Sequence, residues 1–166
     1  MKKSLIAIAV LTAVGAASAQ SSVTLYGVAD VWVGKTKNGE TNLGSGGLAG
    51  SRIGFKGTED LGGGLKAHFT LEQSIALDTG VTSGFDRQAN VGFSGGFGSV
   101  KLGRSFTAFD DINGAANSGF DSALSATSPV WVAYTGSANG QIYYATPEMG
   151  GLSGAVGFTL KGDHVA

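Results

Sequence analysis

Side chains alternate along this chain with a period of two, and that rhythm leaves few folds open. From Ser22 to Val33 the residues Val23, Leu25, Gly27, Ala29, Val31 and Val33 are apolar or small. Thr24, Tyr26, Asp30 and Trp32 take the opposite parity, with Val28 the one aliphatic exception. Successive side chains of a strand point to opposite sides, so such a segment has one apolar and one polar face. The pattern returns from Ser51 to Glu59, where Arg52, Gly54, Lys56 and Thr58 oppose Ile53, Phe55 and Gly57. It returns again from Leu65 to Ile75, where Lys66, His68, Thr70, Glu72 and Ser74 oppose Leu65, Ala67, Phe69, Leu71 and Ile75, with Gln73 a misfit.

Later strands are expected at Phe85–Ser94, Ser99–Gly103, Gln141–Ala145 and Leu152–Leu160. In the first of these, Arg87 shares its parity with Ala89, Val91 and Phe93, which fits either a strand buried on both sides or a bulge. Asp60 to Gly64, Gly95 to Gly98 and Thr146 to Gly151 read as short turns. Residues 35–50, 77–84 and 106–138 read as longer loops, the last without regular structure. With 29 glycines among 166 residues, long helices are disfavoured. An apolar content of 42% in periodic runs is not the profile of a disordered chain.

The first nineteen residues carry a different signal. Lys2 and Lys3 precede an apolar run through Leu5, Ile6, Ile8, Val10, Leu11 and Val14, and Ala17-Ser18-Ala19 supplies small residues at the cleavage positions. This is the pattern of a secretory signal peptide cut before Gln20, too short to span a bilayer. The 11 basic residues then fall to nine against 12 acidic ones, a net charge of −3. That is no footprint for nucleic acid, which calls for a concentrated basic patch. There is no cysteine, so neither disulfides nor thiolate metal sites are open to an exported chain. No cofactor motif is visible. His68 has no partner at metal-ligating spacing, and Asp110-Asp111 lacks the glycine-centred loop of a calcium site. Gly62-Gly63-Gly64 lacks the tail and helix of a phosphate loop. No nucleophile–base arrangement suggests an enzyme.

Alternating short turns and longer loops between strands of about ten residues are the signature of a transmembrane β-barrel. Hydrocarbon offers the peptide group no hydrogen bonds, so a spanning sheet must close on itself. A soluble sandwich or β-helix shows the same alternation and stays open at this point. So does a small non-channel barrel or secreted β-rich adhesin that presents its loops. Charges of both signs on one strand face, Lys66 with Glu72, suit a wet interior.

Several runs are familiar in order and spacing. Ser22-Val-Thr-Leu-Tyr-Gly-Val-Ala-Asp30 resembles the first strand of the trimeric general-diffusion porins of Gram-negative bacteria. Gly50-Ser-Arg-Ile-Gly-Phe-Lys-Gly-Thr-Glu-Asp-Leu-Gly62 is similar to their second strand and first periplasmic turn. Phe85-Asp-Arg-Gln-Ala-Asn-Val-Gly-Phe93 and Phe97-Gly-Ser-Val-Lys-Leu-Gly-Arg104 resemble their fourth and fifth strands. Ile142-Tyr-Tyr-Ala-Thr-Pro-Glu-Met-Gly-Gly151 resembles the turn after the third loop.

The resemblance implies an all-β protein, an antiparallel transmembrane barrel of about 16 strands, of which about seven are present, with a long third loop. It implies a passive, water-filled, homotrimeric channel in the outer membrane, in contact with its lipid and passing small hydrophilic solutes and ions. In that family the third loop folds into the barrel, and its acidic groups face a basic cluster on the wall. Arg52 and Arg87 match wall arginines, though as isolated residues both read as ordinary surface charges. Lys56 and Lys66 are further inward candidates, and Arg104 sits at the entrance of the third loop. Asp110, Asp111 and Asp121 are the acidic candidates within it. Residues 137–141 lack an arginine that some relatives carry there, which implies a weaker anion preference. Seven strands are fewer than the roughly eight of the smallest bacterial barrels, and the chain's end lacks the family's terminal aromatic strand. The expectation is therefore a signal peptide over residues 1–19 and an N-terminal portion of a barrel over residues 20–166.

Overall fold

The computed structural model describes residues 22–35, 39–116 and 135–160. The signal segment, Asp121 and most of the third loop lie outside them. Nine strands and one helix are described: β1 (Ser22–Val28), β2 (Val31–Lys35), β3 (Thr41–Ser45), β4 (Arg52–Gly62), β5 (Leu65–Ser74), β6 (Gln88–Gly95), β7 (Gly98–Phe106), α1 (Ala108–Ala116), β8 (Ser137–Ala145) and β9 (Ala155–Thr159). Seven strands form one sheet in the order β1-β4-β5-β6-β7-β8-β9, and every pair is antiparallel. This is an up-and-down meander, the connectivity of a barrel wall. β2 and β3 form a separate two-stranded ribbon between β1 and β4.

Register links the alternation of each strand into rows across the sheet. One row runs Val23, Gly57, Phe69, Val91, Leu102, Ile142 and Phe158. The next residues along give Thr24, Lys56, Thr70, Asn90, Gly103, Gln141 and Thr159. These two rows are apolar and polar over seven strands, while Gln73 and Arg104 fall on the apolar parity elsewhere in the sheet. The rows also differ in cover, and in the direction opposite to a soluble domain. Val23 is 67% exposed, Val91 51% and Phe158 65%, whereas Asn90 is 7% and Gln141 3% exposed. Among the described residues the one buried hydrophobic is Tyr143, and the buried polar residues are Ser51, Glu72, Asn90, Ser105 and Gln141. One face of the sheet is polar, with its buried side chains in β5–β8 and exposed ones such as Thr24, Lys56 and Thr159 towards the edges, and the other carries exposed apolar side chains, with no second sheet packed on it among the described residues. A sandwich with a dry centre is the wrong description of this chain.

The structure departs from the sequence reading in four places. The expected first strand breaks after Val28, and its second half pairs with β3, inside the expected loop 35–50. Asp30 makes the break. Its carboxylate accepts the backbone N–H groups of Gly47, Leu48 and Ala49 at 3.0, 2.9 and 2.8 Å. Its own N–H donates to Ser51 Oγ at 2.9 Å. The fourth expected strand starts at Gln88 rather than Phe85, which leaves Arg87 outside the alternation. Its parity problem thus has neither of the anticipated causes. β7 and β8 are longer than expected, and a bulge between Gly103 and Ser105 interrupts their register. Gly103 takes φ 123°, a conformation that glycine adopts freely. Ser105 is thereby turned inward, where its hydroxyl bonds to Gln141 Oε1 at 2.5 Å. Last, the segment after Phe106 opens with a helix rather than irregular chain.

Candidate functional site

The polar face carries two charged clusters. The first lies where β4, β5 and the start of β6 meet. Glu72 sits near the end of β5 on this face, in register with Gly54 and, through it, with Tyr26. Gly54 leaves room for the Tyr26 ring to lie across it, and a Cβ there would meet the ring carbons at 2.6 Å. Tyr26 Oη consequently reaches Glu72 Oε2 and donates to it at 2.8 Å. Arg87, freed from β6, donates its Nε to Glu72 Oε1 at 2.6 Å. Its backbone N–H also bonds to the Glu72 carbonyl at 3.2 Å. Arg52 places its Nε 4.0 Å from the other carboxylate oxygen and donates from an Nη to the Gly50 carbonyl at 3.0 Å. The Glu72 side chain is 5% exposed, while Arg52 and Arg87 keep 23% and 22%. A nearly dry carboxylate thus anchors two guanidinium groups that still meet water. Arg87 also lies 5.5 Å from the Phe106 ring, and Lys56 Nζ lies 5.2 Å from the Tyr26 ring.

The second cluster joins the helix to the wall. Lys101 on β7 and Tyr143 on β8 are direct register partners on the polar face. Tyr143 Oη donates to Asp111 Oδ2 at 2.6 Å, and Lys101 Nζ lies 3.8 Å from the same oxygen. α1 therefore lies on the polar side of the sheet. Thr107 starts it, accepting the Asp110 N–H on its hydroxyl at 3.2 Å and the Asp111 N–H on its carbonyl at 3.0 Å.

The residues expected to form a site divide as follows. Arg52 and Arg87 come together through Glu72. Lys56 stands one row away, on the same face. Lys66 is on that face too, near the short turn at residues 62–65, in register with Asp60 and Ser94. Arg104 holds the Asp86 carbonyl with Nε at 2.5 Å and Asn139 Oδ1 with an Nη at 2.6 Å. It pairs with Ala89 and so takes the parity of the apolar row, at the end of the sheet from which the third loop leaves. Asp110 and Asp111 both fall in the first turn of α1, and Asp111 reaches the wall. Asp121 is outside the described residues. Sequence reasoning did not single out Glu72, Tyr26, Lys101 or Tyr143 as members of a site. Parity alone marked all but Lys101 and Tyr143 as polar-face residues. Their partners depend on strand register.

Two carboxylates outside the strands fix the loops around the first cluster. The three backbone N–H groups of residues 47–49, that of Ala49 foremost, hold the Asp30 carboxyl below the usual carboxylate range. At Asp86, partial burial pushes the pKa up. It is outweighed by the Ser74 N–H and hydroxyl, at 2.7 and 2.8 Å, and by the Arg87 charge, so the group stays below its ordinary value.

An antiparallel meander with one apolar face, one charged face and a loop helix lying on the charged side defines a class, the wall of a transmembrane β-barrel. Comparison with known proteins agrees. The model of the Gram-negative porin family matches residues 5–166. The chain is 43% identical over 180 residues to outer membrane porin protein 32 of Delftia acidovorans, covering 96% of this chain and 50% of that protein. It is 38% identical over 171 residues to the major outer membrane protein P.IB of Neisseria meningitidis serogroup B, covering 97% and 50%. Among solved structures, an anion-selective porin from Comamonas acidovorans superposes with a TM-score of 0.73 at 36% identity, over 84% of this chain and 47% of that one. A loop-deletion mutant of OmpT from Vibrio cholerae, at 18% identity and a TM-score of 0.64, shares the fold. The chain belongs to the Gram-negative porin family, whose members are outer-membrane proteins. It spans about half the length of the relatives it matches.

Proposed function

We propose that this chain forms half of the wall of a passive, water-filled outer-membrane channel for small hydrophilic solutes and ions, homotrimeric in its full-length form and exported by a signal peptide over residues 1–19. No catalytic step is assigned to it. The observation that carries the reading is the pair of adjacent rows, one polar and one apolar with its large side chains mostly exposed, that register draws across all seven strands of the main sheet.

The residues of the water path are Arg52, Arg87, Lys56 and Lys66, with Lys101 added. Arg104 acts at the rim, and Asp110, Asp111 and Asp121 act on the loop. Arg52, Lys56, Lys66, Arg87 and Lys101 outnumber the carboxylates Asp60 and Glu72 on the described wall, so the wall by itself favours anions, and Asp110, Asp111 and Asp121 on the loop oppose it. Glu72 moderates that preference by neutralising part of the arginine pair. The solved relative described as anion-selective is consistent with this sign.

The test is reversal potential across a planar bilayer under a potassium chloride gradient, with full-length protein. Arg52→Gln with Arg87→Gln should move it towards cation preference. A channel whose selectivity ignores both substitutions would remove these arginines from the water path, and a protein that inserts without conducting would end the channel reading.

A further inference from the structure

α1 has nine residues and includes Gly114. A helix of this length is marginal in water on its own, since fewer than about 12 residues rarely offset the cost of nucleation. Its first turn is tied down twice. Thr107 donates its hydroxyl to the Thr135 carbonyl at 2.8 Å and its N–H to the Gly136 carbonyl at 3.0 Å, which fixes where the helix starts. Asp111, one turn later, meets Tyr143 Oη at 2.6 Å and Lys101 Nζ at 3.8 Å. Lys101 Nζ also stands 4.0 Å from the centre of the Tyr143 ring, so ammonium, ring and carboxylate close a three-way contact. Tyr143 is 4% exposed, the one buried hydrophobic residue described, on a wall whose other buried groups are polar. The Asp111 charge is spent on this contact, leaving it a poor pole for a field directed at the arginines.

We infer that Tyr143 and Lys101 are positioning residues that seat the third-loop helix on the pore wall through Asp111, and that this seat sets how far the helix intrudes into the water path. The inference rests on the channel reading above and gives Asp111 a mechanical role in it. Lys101 and Tyr143 are wall partners in adjacent strands, so the seat is rigid. The mobile partner is the helix. Losing one charge-assisted hydrogen bond should raise the unseated population roughly tenfold or more.

Single-channel recording of the full-length protein tests this. Tyr143→Phe removes one oxygen and no charge. It should convert a quiet open channel into one with frequent transitions between conductance levels, at unchanged reversal potential. Asp111→Asn should add the same transitions together with a shift towards anions, since it also frees the Lys101 charge. In a second arm, Asp111→Cys with Tyr143→Cys supplies the two thiols of a chain that has no cysteine of its own. A short bis-methanethiosulfonate linker should bridge them in the folded barrel, detected by mass, and restore quiet conduction until it is reduced. A Tyr143→Phe channel as quiet as the parent, or thiols that do not bridge in the folded protein, would overturn the seat. A double-cysteine variant that folds and bridges, beside a parent that does not conduct, would count against the channel and leave the seat supported.

Discussion

The informative residue of the inner wall is an acid among bases. Glu72 is nearly dry, accepts from Tyr26 and Arg87, and has Arg52 beside its other oxygen, so losing it leaves these partners without an acceptor. Glu72→Gln preserves shape and most of the hydrogen bonding while removing the charge, and should raise anion preference in the same reversal-potential measurement. Glu72→Ala leaves Arg87 and Tyr26 unpaired and should cost about 3 kcal/mol of stability, read from denaturant unfolding in detergent. Asp30 makes a pH prediction. Its folded pKa lies below the ordinary 3.8, so its stabilising contribution is complete above that value and fades as pH falls below it through the folded pKa. Protection of the Gly47, Leu48 and Ala49 amides, taken as exchange relative to the intrinsic rate at each pH, should therefore fall on acidification below about pH 4 and stay high at neutral pH. Protection insensitive to acid would mean the carboxylate does not hold this loop. Arg52 and Arg87 were legible in the sequence through the family's motifs. Glu72 was visible as a polar-face residue, but its role follows from the register that sets it beside Arg52 and from a strand that begins one residue after Arg87.

At the scale of elements, strands with clean alternation were the readable ones. β4 and β5 appear almost as expected because Ile53, Phe55, Phe69 and Leu71 mark one parity, which Glu59 and Gln73 break only towards its ends. Where a side chain bonds backbone at a distance, the pattern misled. Val31 and Val33 continue the alternation of β1, yet Asp30 diverts them into the ribbon by capturing residues 47–49, a contact across 17 or more positions that no local rhythm records. α1 left one local sign, Thr107 three residues before Asp110 at an N-terminal cap, obscured by glycine and by the helix's shortness. Close strand contact makes its own prediction. A Cβ at Gly92 would collide with the Val100 carbonyl of the neighbouring strand and with the His68 ring. Gly92→Ala should destabilise the β6–β7 pairing by about 1–3 kcal/mol, seen as a lower unfolding midpoint. An unchanged midpoint would show that the strands separate there without strain.

For the whole molecule, the described residues build a seven-stranded sheet with one apolar face, whose large side chains are mostly exposed, beside a two-stranded ribbon. In water such a surface would drive association. In a bilayer it would be solvated by acyl chains, and the polar face would meet water. The central claim is thus about which medium each face meets, and neighbouring residues of β4 decide it. Phe55→Cys and Lys56→Cys, each spin-labelled in the full-length protein in lipid bilayers, report collisions with oxygen, which partitions into hydrocarbon, and with a water-soluble nickel chelate. The label at residue 55 should relax with oxygen and ignore the chelate, and the label at residue 56 should do the reverse. Equal behaviour at both positions, or the opposite assignment, would contradict the channel wall described above.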